Sequence, residues 1–227
     1  MSTRPGSYLT RAGVFALVAA LPLAGQASKP AKSGSCPAVD TTAGWFVKQR
    51  AWADDSRHAW SNDSLRTALI HAAGLDNANG GTGALMGYEI VGVVPNAAQG
   101  DAAAAIAALR TLAQTRGSTW PTKSVVGAEG VRAVWVLAGQ DTSLARAALH
   151  RMMEAGPEES PPAAVAILED RLRIASGRKQ IYGTQLVKSA DGKLEPAPLE
   201  DPKHVDLRRD AAGLPPLAQA MCAASRP

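Results

Sequence analysis

The chain has 227 residues, of which 46% are hydrophobic and 19% charged, a balance typical of a globular protein and not of a disordered one. Its formal net charge is +4, and part of this comes from Arg4 and Arg11 near the N-terminus. Long runs of Lys and Arg do not occur, so the charge pattern argues against a nucleic-acid partner. The length suffices for one domain with a hydrophobic core.

The segment 1–27 has the three-part organisation of a bacterial secretory signal peptide. Arg4 and Arg11 supply a positive region, residues 12–24 form an apolar run, and Gly25 and Ala27 are small residues where signal peptidase reads the chain. The apolar run is shorter than the roughly 20 residues that span a bilayer. We therefore predict cleavage after Ala27 and a periplasmic or secreted protein without a membrane anchor. An uncleaved anchor or a buried helix is the alternative.

Residues 28–44 are rich in Ser, Lys, Pro and Gly, and this composition predicts a flexible leader. Cys36 lies in this leader, but Ser33 occupies the position where lipidation requires an apolar residue. The second cysteine of the chain is Cys222. Because exported proteins meet an oxidising compartment, we expect Cys36 and Cys222 to form a disulfide. Two free thiols, or a Cys222 packed as a small apolar residue, are the alternative.

Residues 45–227 are predicted to form a single, mainly α-helical domain. The evidence is apolar residues at helical spacing, polar residues at helix starts and glycines after helix ends. The first helix begins at Trp45 and is expected to carry Trp45, Trp52 and Ala59 on one face. A break and a new helix cap are expected at Ser61-Asn62-Asp63. Later helices are expected after caps at Asp101, Asp141 or Thr142, Ser160-Pro161 and Asp201-Pro202, and over residues 131–138 and 217–224.

Two segments interrupt this helical pattern. Residues 76–100 are rich in Gly and Asn and are predicted to be a loop, with one short strand over residues 88–94. Residues 181–187 have a period of two and precede the turn at residues 190–193, where Asp-Gly tolerates positive φ. We therefore expect a small β-hairpin near residues 180–196.

Motifs for catalysis or cofactor binding are absent from the sequence. The glycines of residues 81–87 miss the dinucleotide fingerprint by one residue, and no H-E-x-x-H or G-x-S-x-G word occurs. The single S-x-x-K word, from Ser176 to Lys179, straddles the helix-ending Gly177. We therefore predict no cofactor.

The histidines and tryptophans are interpreted as surface and core residues, respectively. No histidine lies in a cluster of further ligands, so the sequence predicts no metal site. The tryptophans could line a sugar-binding groove, but at helical spacing they are more often part of the core. The residues concerned are His58, His71, His150 and His204, and Trp45, Trp52, Trp60, Trp120 and Trp135.

From Trp120 onward the chain carries a series of short sequence words. They are Trp120-Pro121-Thr122, Val126-Gly127, Ala133-Val134-Trp135-Val136-Leu137, Leu168-Glu169-Asp170-Arg171, Gln180-x-Tyr182-Gly183-Thr184-Gln185, Arg208-Arg209 and Gly213-Leu214. Together they make the C-terminal half similar to the bacterial domain-of-unknown-function family 6624. The resemblance implies a helical fold and no particular activity.

The chain departs from that family at one position. Proteins that it resembles usually carry Gln-His-Ala-Asp after the helix of Trp135, whereas this chain has Gly139-Gln140-Asp141 without the histidine. If the histidine were a catalytic base, this chain would lack it. The departure therefore favours a protein without enzymatic chemistry.

The polar residues matched by the resemblance form the candidate site. In the structural interpretation, an ion pair and hydrogen bonds attach the hairpin to the preceding helix. In the functional interpretation, they line a polar pocket in which Asp170 is a general base or anchors a ligand. The candidate residues are Asp170, Arg171, Tyr182, Thr184, Gln185 and Arg208.

These observations predict an exported envelope protein that binds an unidentified ligand or partner protein through the hairpin–helix junction, without catalysis. The alternative is a small envelope hydrolase that uses Asp170 with Tyr182 or His204.

Overall fold

The computed structural model describes residues 36–54, 59–75 and 101–225. These residues form eight α-helices, one turn of 3-10 helix and one two-stranded antiparallel hairpin, so the prediction of a mainly α-helical fold is confirmed. None of the helices in the described part of the chain is long and apolar enough to cross a membrane. The predicted signal peptide, the predicted loop with its short strand, and His58 lie outside the described residues.

The helices and strands follow one another in a simple order, with the hairpin between the sixth and seventh helices. They are α1 (Gly44–Ala53), α2 (Asp63–Ala72), α3 (Asp101–Gln114), α4 (Lys123–Ala138), α5 (Thr142–Ala155), α6 (Pro162–Ala175), β1 (Leu186–Lys188), β2 (Leu194–Pro196), the 3-10 turn (Pro202–His204), α7 (Val205–Ala211) and α8 (Leu217–Ala224).

Side-chain caps fix several helix starts where the sequence predicts them. The Asn62 side chain accepts a hydrogen bond from the Leu65 amide (2.9 Å), and the Asp141 side chain accepts one from the Leu144 amide (2.7 Å). The same Asp141 carboxylate accepts hydrogen bonds from Ser143 and Arg110, and these contacts lower its pKa. Both caps confirm predicted helix starts.

Several predicted helix boundaries differ from the structure. Helix α3 begins at Asp101 itself and not after it. Helix α1 begins at Gly44 and ends at Ala53, so Ala59 is not on the same helix as Trp45. Helix α6 begins at Pro162 and not at Pro161, because a residue that precedes proline is disfavoured in the helical conformation and Pro161 is extended (ψ 127°).

Helix α4 is the centre of the hydrophobic core. Nearly all of its residues are buried, and it contacts α1, α2, α3, α5 and α6. Gly127 interrupts it with φ 70° and ψ 172°, a conformation that is accessible essentially to glycine alone, and the helix is kinked there. Trp135 is fully buried on this helix, and Trp45 and Trp120 are buried elsewhere, as predicted for core tryptophans. Trp52 and Trp60 are only half-buried.

The N-terminal and C-terminal ends of the described chain lie together. Cys36 and Cys222 form the expected disulfide, which ties the segment before α1 to α8. The Lys48 ammonium on α1 donates to the Asp210 carbonyl on α7 (2.8 Å), and the Gln49 amide donates to the Gly213 carbonyl (2.5 Å). Thus α1, α7 and α8 are held together by covalent and polar contacts.

The hairpin is shorter than the sequence predicts. Its register pairs Leu186 with Pro196 and Lys188 with Leu194 across an Asp-Gly turn. Residues 181–185 alternate in sequence like a strand, but they are not part of one. Their backbone amides are bound by side chains instead of by a neighbouring strand, and this arrangement creates the candidate site.

Candidate functional site

The Asp170 carboxylate on α6 organises the site. One carboxylate oxygen accepts hydrogen bonds from the amides of Ile181 (2.6 Å) and Tyr182 (3.1 Å). The other accepts from the Thr184 amide and the Thr184 hydroxyl (both 3.0 Å), and also from the Tyr182 amide (3.1 Å). Asp170 is 0% exposed. A buried carboxylate requires such donors, because burial without them carries a large desolvation penalty.

Residues 181–184 wrap around this carboxylate because the backbone turns at Gly183. Its φ of +69° lies in the left-handed region, where a side chain would be strained. A Cβ atom at this position would also lie 3.1 Å from a methyl group of Leu217. The glycine of the Tyr-Gly-Thr word is therefore needed to bring both the Tyr182 and the Thr184 amides onto one side chain.

Gln180 and Gln185 close the segment from the other side. The Gln180 side-chain amide donates to the carbonyls of Ala197 (2.7 Å) and Gln185 (3.1 Å), while its oxygen accepts from the Gln185 amide (2.9 Å). The Gln185 side chain donates to the Thr184 hydroxyl oxygen (3.1 Å). The Gln180 side chain thus satisfies the Gln185 amide and the Ala197 carbonyl, and the Gln185 carbonyl also accepts from the Ala197 amide (2.9 Å).

Two arginines of α7 bind the carbonyl groups of the same segment. Arg208 donates to the Ile181 carbonyl (3.0 Å) and to the Asp201 carbonyl (2.5 Å). Arg209, which is buried, donates to the carbonyls of Tyr182 (2.7 Å) and Pro215 (2.6 Å). Burial lowers the pKa of Arg209 to about 10, opposed by Asp206 and Asp170, so the guanidinium remains charged at neutral pH. We call this cluster of Asp170, residues 180–185, Arg208 and Arg209 the Asp170 junction.

The structure brings five of the six candidate residues into the Asp170 junction. Asp170 and Thr184 are at its centre, Gln185 closes it, Arg208 binds its backbone, and Tyr182 contributes its amide and carbonyl. Arg171 is the exception, because among the described residues no hydrogen bond or ion pair joins it to Asp170 or to residues 180–185. The ion pair of the structural interpretation is therefore not formed by Asp170 and Arg171.

Tyr182 extends from the junction onto a surface cavity. Its ring packs against Ala163, Ala166, Ala212 and Leu214. Burial raises the pKa of the Tyr182 phenol; the carboxylates of Glu169 and Asp170 raise it further, and nearby arginines oppose the increase. The hydroxyl therefore remains protonated at neutral pH and can donate a hydrogen bond.

The cavity has a volume of about 410 Å³ and lies between the end of α5, the start of α6 and α7. Its wall is mostly apolar, with the polar side chains of Ser160, Tyr182 and Arg208 included in it. Ser160 is 2% exposed, and its hydroxyl has no hydrogen-bond partner within the described part of the chain. The apolar lining consists mainly of Met152, Met153, Pro157, Pro162, Val165 and Ala212.

A second depression of about 330 Å³ adjoins the cavity at Met153, which lines both. Three arginines and one carboxylate, Glu169, lie in its wall. Burial raises the pKa of Glu169, and the nearby Asp170 adds to the increase, while Arg173 opposes it. We call this surface the arginine depression; its arginines are Arg146, Arg173 and Arg178.

Sequence reasoning missed several residues that the structure places at the site. Gln180 and Arg209 lie in the sequence words that carry the family resemblance. They are close in sequence to Tyr182 and Arg208, so the same words could have identified them as site residues. Ser160 and Met153 belong to the cavity, but no local pattern identifies them, because the cavity is formed by helices that are distant in sequence.

The described histidines lie on the surface, each within ion-pair distance of a carboxylate. His204 lies 2.7 Å from Asp201, His71 lies 3.2 Å from Asp101, and the third, His150, contacts Glu154. In the described ranges, no three His, Cys, Asp or Glu side chains come together in a group that could hold a metal ion.

Comparison with protein families identifies the chain. Residues 90–223 match the family of unknown function DUF6624, and this match covers more than half of the chain. The chain therefore belongs to this family, as the C-terminal sequence words indicated. No curated protein and no solved structure matches it.

The family match begins at residue 90, which is earlier than Trp120, the first residue of the sequence words. Helices α1 and α2 precede the match. Leu69 and Ala72 of α2 are nevertheless part of the main hydrophobic core. At the position of the missing histidine, Asp141 caps α5 and binds Arg110 (2.8 Å). This segment therefore has a structural role in the present chain.

Proposed function

We propose that this chain is an exported protein of the bacterial envelope that binds a ligand or partner protein in the cavity beside Tyr182 and carries out no catalysis. The observation that carries the proposal is the saturated Asp170 carboxylate next to an open cavity. Both oxygens of Asp170, the carboxylate that a hydrolase would use, already accept hydrogen bonds from residues 181–184. The neighbouring cavity has room for a ligand.

Export is supported by two independent features. The segment 1–27 has the composition of a cleaved signal peptide. The disulfide between Cys36 and Cys222 is of the kind that persists in the periplasm or outside the cell, since the cytosol keeps thiols reduced.

The absence of catalysis is supported by the surroundings of Asp170. A general base must come within hydrogen-bond reach of a substrate proton, directly or through one water. Asp170 has no exposed surface, and both of its oxygens already accept hydrogen bonds from residues 181–184. The hydrolase alternative would require this arrangement to open, and its second candidate, His204, is exposed and bound to Asp201.

Binding is supported by the composition of the cavity. Small-molecule sites are typically concave, mainly apolar and equipped with a few convergent polar groups, in volumes of about 300–1,000 Å³. The cavity beside Tyr182 has this composition, and its volume of about 410 Å³ lies in this range.

The first prediction concerns export. When the full chain is expressed in a bacterium, we expect the protein in the periplasmic or secreted fraction, with Ser28 as its N-terminal residue. N-terminal sequencing or the intact mass measures this directly. Replacing Leu17 with Arg, which interrupts the apolar run, should retain the uncleaved chain in the cytoplasm. An exported protein that still carries the segment 1–27 would contradict the predicted cleavage.

The second prediction concerns binding. The mature chain is screened by thermal shift against envelope peptides, sugars, nucleotides and lipids. A ligand at about 100 times its dissociation constant stabilises the folded state by about 2.7 kcal/mol, which raises Tm by roughly 5–10 °C at this size. We expect Tyr182→Phe and Met153→Glu to reduce this shift.

Val187→Glu provides the control for the screen, because Val187 is exposed on β1 and does not line the cavity. This variant should bind like the wild type. Ligand shifts that survive both cavity variants would place the site elsewhere. Turnover of an envelope component that is lost in a folded Asp170→Asn variant would favour the hydrolase.

A further inference from the structure

The cavity beside Tyr182 combines an apolar wall with a marked imbalance of charge. Arg208 is the charged residue of its lining, and no carboxylate lies in that lining. The arginine depression adds Arg146, Arg173 and Arg178 against one carboxylate, Glu169. The two linings together contain four guanidinium groups and one carboxylate around Met153; two of these arginines, Arg173 and Arg208, also pair with carboxylates outside the linings, those of Glu200 and Asp201.

One polar group of the lining, the Tyr182 hydroxyl, could bind a ligand oxygen, whereas the Ser160 hydroxyl has essentially no accessible surface. The Ser160 side chain is almost fully buried, and its hydroxyl has no partner among the residues that the structure describes. The Tyr182 phenol remains protonated at neutral pH, since its pKa is raised, and is therefore a donor. A buried hydroxyl without a partner is uncommon, because an unsatisfied polar group carries a desolvation penalty.

We propose that this cavity binds the apolar part of an amphiphilic anion, whose carboxylate or phosphate group is held by Arg208 and the adjoining arginine depression. The proposal rests on the proposed function, because it specifies the ligand class of the same cavity. Guanidinium groups favour carboxylate and phosphate oxygens, with which they form charge-assisted hydrogen bonds. The methionines, prolines and Val165 provide the surface that an alkyl chain requires.

The geometry of Arg208 fits this role without rearrangement of the junction. Its Nε and one Nη atom donate to the carbonyls of Ile181 and Asp201, and its other Nη atom lies 3.4 Å from the Asp201 carboxylate. A guanidinium group has five N–H donors, so these contacts leave donors for a ligand. The same contacts hold the side chain in place at the cavity.

Four compounds with the same alkyl chain test this inference: octanoate, octyl phosphate, 1-octanol and octylammonium. Their binding to the mature protein is measured by calorimetry at neutral pH. We expect the two anions to bind at least about tenfold more tightly than octanol, and octylammonium to bind most weakly. Stronger binding of octanoate would indicate a free fatty acid, and stronger binding of octyl phosphate would indicate a phosphate-containing lipid.

Two variants separate the charge effect from the apolar effect. Arg208→Gln should reduce octanoate binding to the level of octanol. Met153→Glu places a negative charge at the rim, where the side chain is 65% exposed, so folding should be unaffected. We expect it to weaken octanoate binding at least about fivefold more than octanol binding, because octanol loses only an apolar contact whereas octanoate is also repelled by the new charge. Val187→Glu adds the same charge on the hairpin and should leave the affinities for octanoate and octanol unchanged.

The outcomes distinguish this inference from the proposed function. If octanol or octylammonium binds as tightly as octanoate, the anion preference is wrong, although the cavity still binds ligands. If none of the four compounds binds, the ligand class is wrong, and the broader thermal-shift screen decides separately whether the cavity binds anything. Octanoate binding that is unchanged in Met153→Glu would also overturn the assignment.

Discussion

Replacing Asp170 with asparagine is expected to destabilise the protein by about 3–5 kcal/mol, the cost of breaking a buried charged network. In either orientation, the new side-chain NH2 group faces backbone amides that donate to the carboxylate in the wild type. These donors would lose their acceptor in a buried environment. Thermal or denaturant unfolding should show a decrease in Tm of about 6–20 °C.

Glu169→Gln is the matched control for this experiment. It makes the same chemical change one residue earlier on α6, at a half-buried side chain, and should change stability by less than about 1 kcal/mol. Hydrogen exchange provides a local readout, because the amides of Ile181, Tyr182 and Thr184 should lose protection in Asp170→Asn. An Asp170→Asn variant as stable as the wild type would contradict the structural role.

Loss of the disulfide is expected to have the second large effect. The bond joins residues 186 positions apart, and the chain-entropy treatment gives about 5 kcal/mol as the upper figure for a loop of this length. Removing a native disulfide usually costs about 2–5 kcal/mol. We therefore expect the Cys36→Ser/Cys222→Ser double variant to unfold about 4–20 °C below the wild type.

The control for the disulfide experiment is reductant. A phosphine reductant should lower the Tm of the wild type towards that of the double variant and leave the double variant unchanged. A wild-type Tm that is insensitive to complete reduction, verified by thiol titration, would show that the bond does not stabilise the fold. The single variants should resemble the double variant, since each removes the same bond.

The helices could be predicted largely from local features of the sequence. Asn62 and Asp141 are caps whose side chains bind amides three residues later, so the information lies in a short window. The turn of the hairpin was recognisable for the same reason, since Asp191-Gly192 specifies it locally. The start of α6 was wrong by one residue because two consecutive prolines compete for the first helical position.

Residues 181–185 could not be predicted locally. Their alternating pattern is typical of a strand, but Asp170, which precedes them on α6, binds the amides of Ile181, Tyr182 and Thr184. When a single side chain binds the amides in place of a neighbouring strand, the sequence carries no periodic pattern that would reveal this. The family resemblance selected the correct words, but it could not show that Asp170 binds backbone and not a substrate.

The cavity beside Tyr182 could not be predicted from local sequence patterns either. Met153 and Arg208 both line it although they lie on α5 and α7, and Met153, unlike Arg208, belongs to none of the sequence words that carry the family resemblance. Its apolar wall consists of residues that a sequence reading assigns to the ordinary core or surface. Only the packing of these helices leaves the space open.

The bond between Cys36 and Cys222 turns residues 36–222 into a closed covalent ring. A protease that cuts one peptide bond anywhere inside this ring leaves a single molecule, because the two pieces remain joined through the sulfur atoms. Helices α1 and α2, which precede the family match, would also stay attached to the rest of the core. The same cut would divide a chain that lacked this bond into two separate pieces.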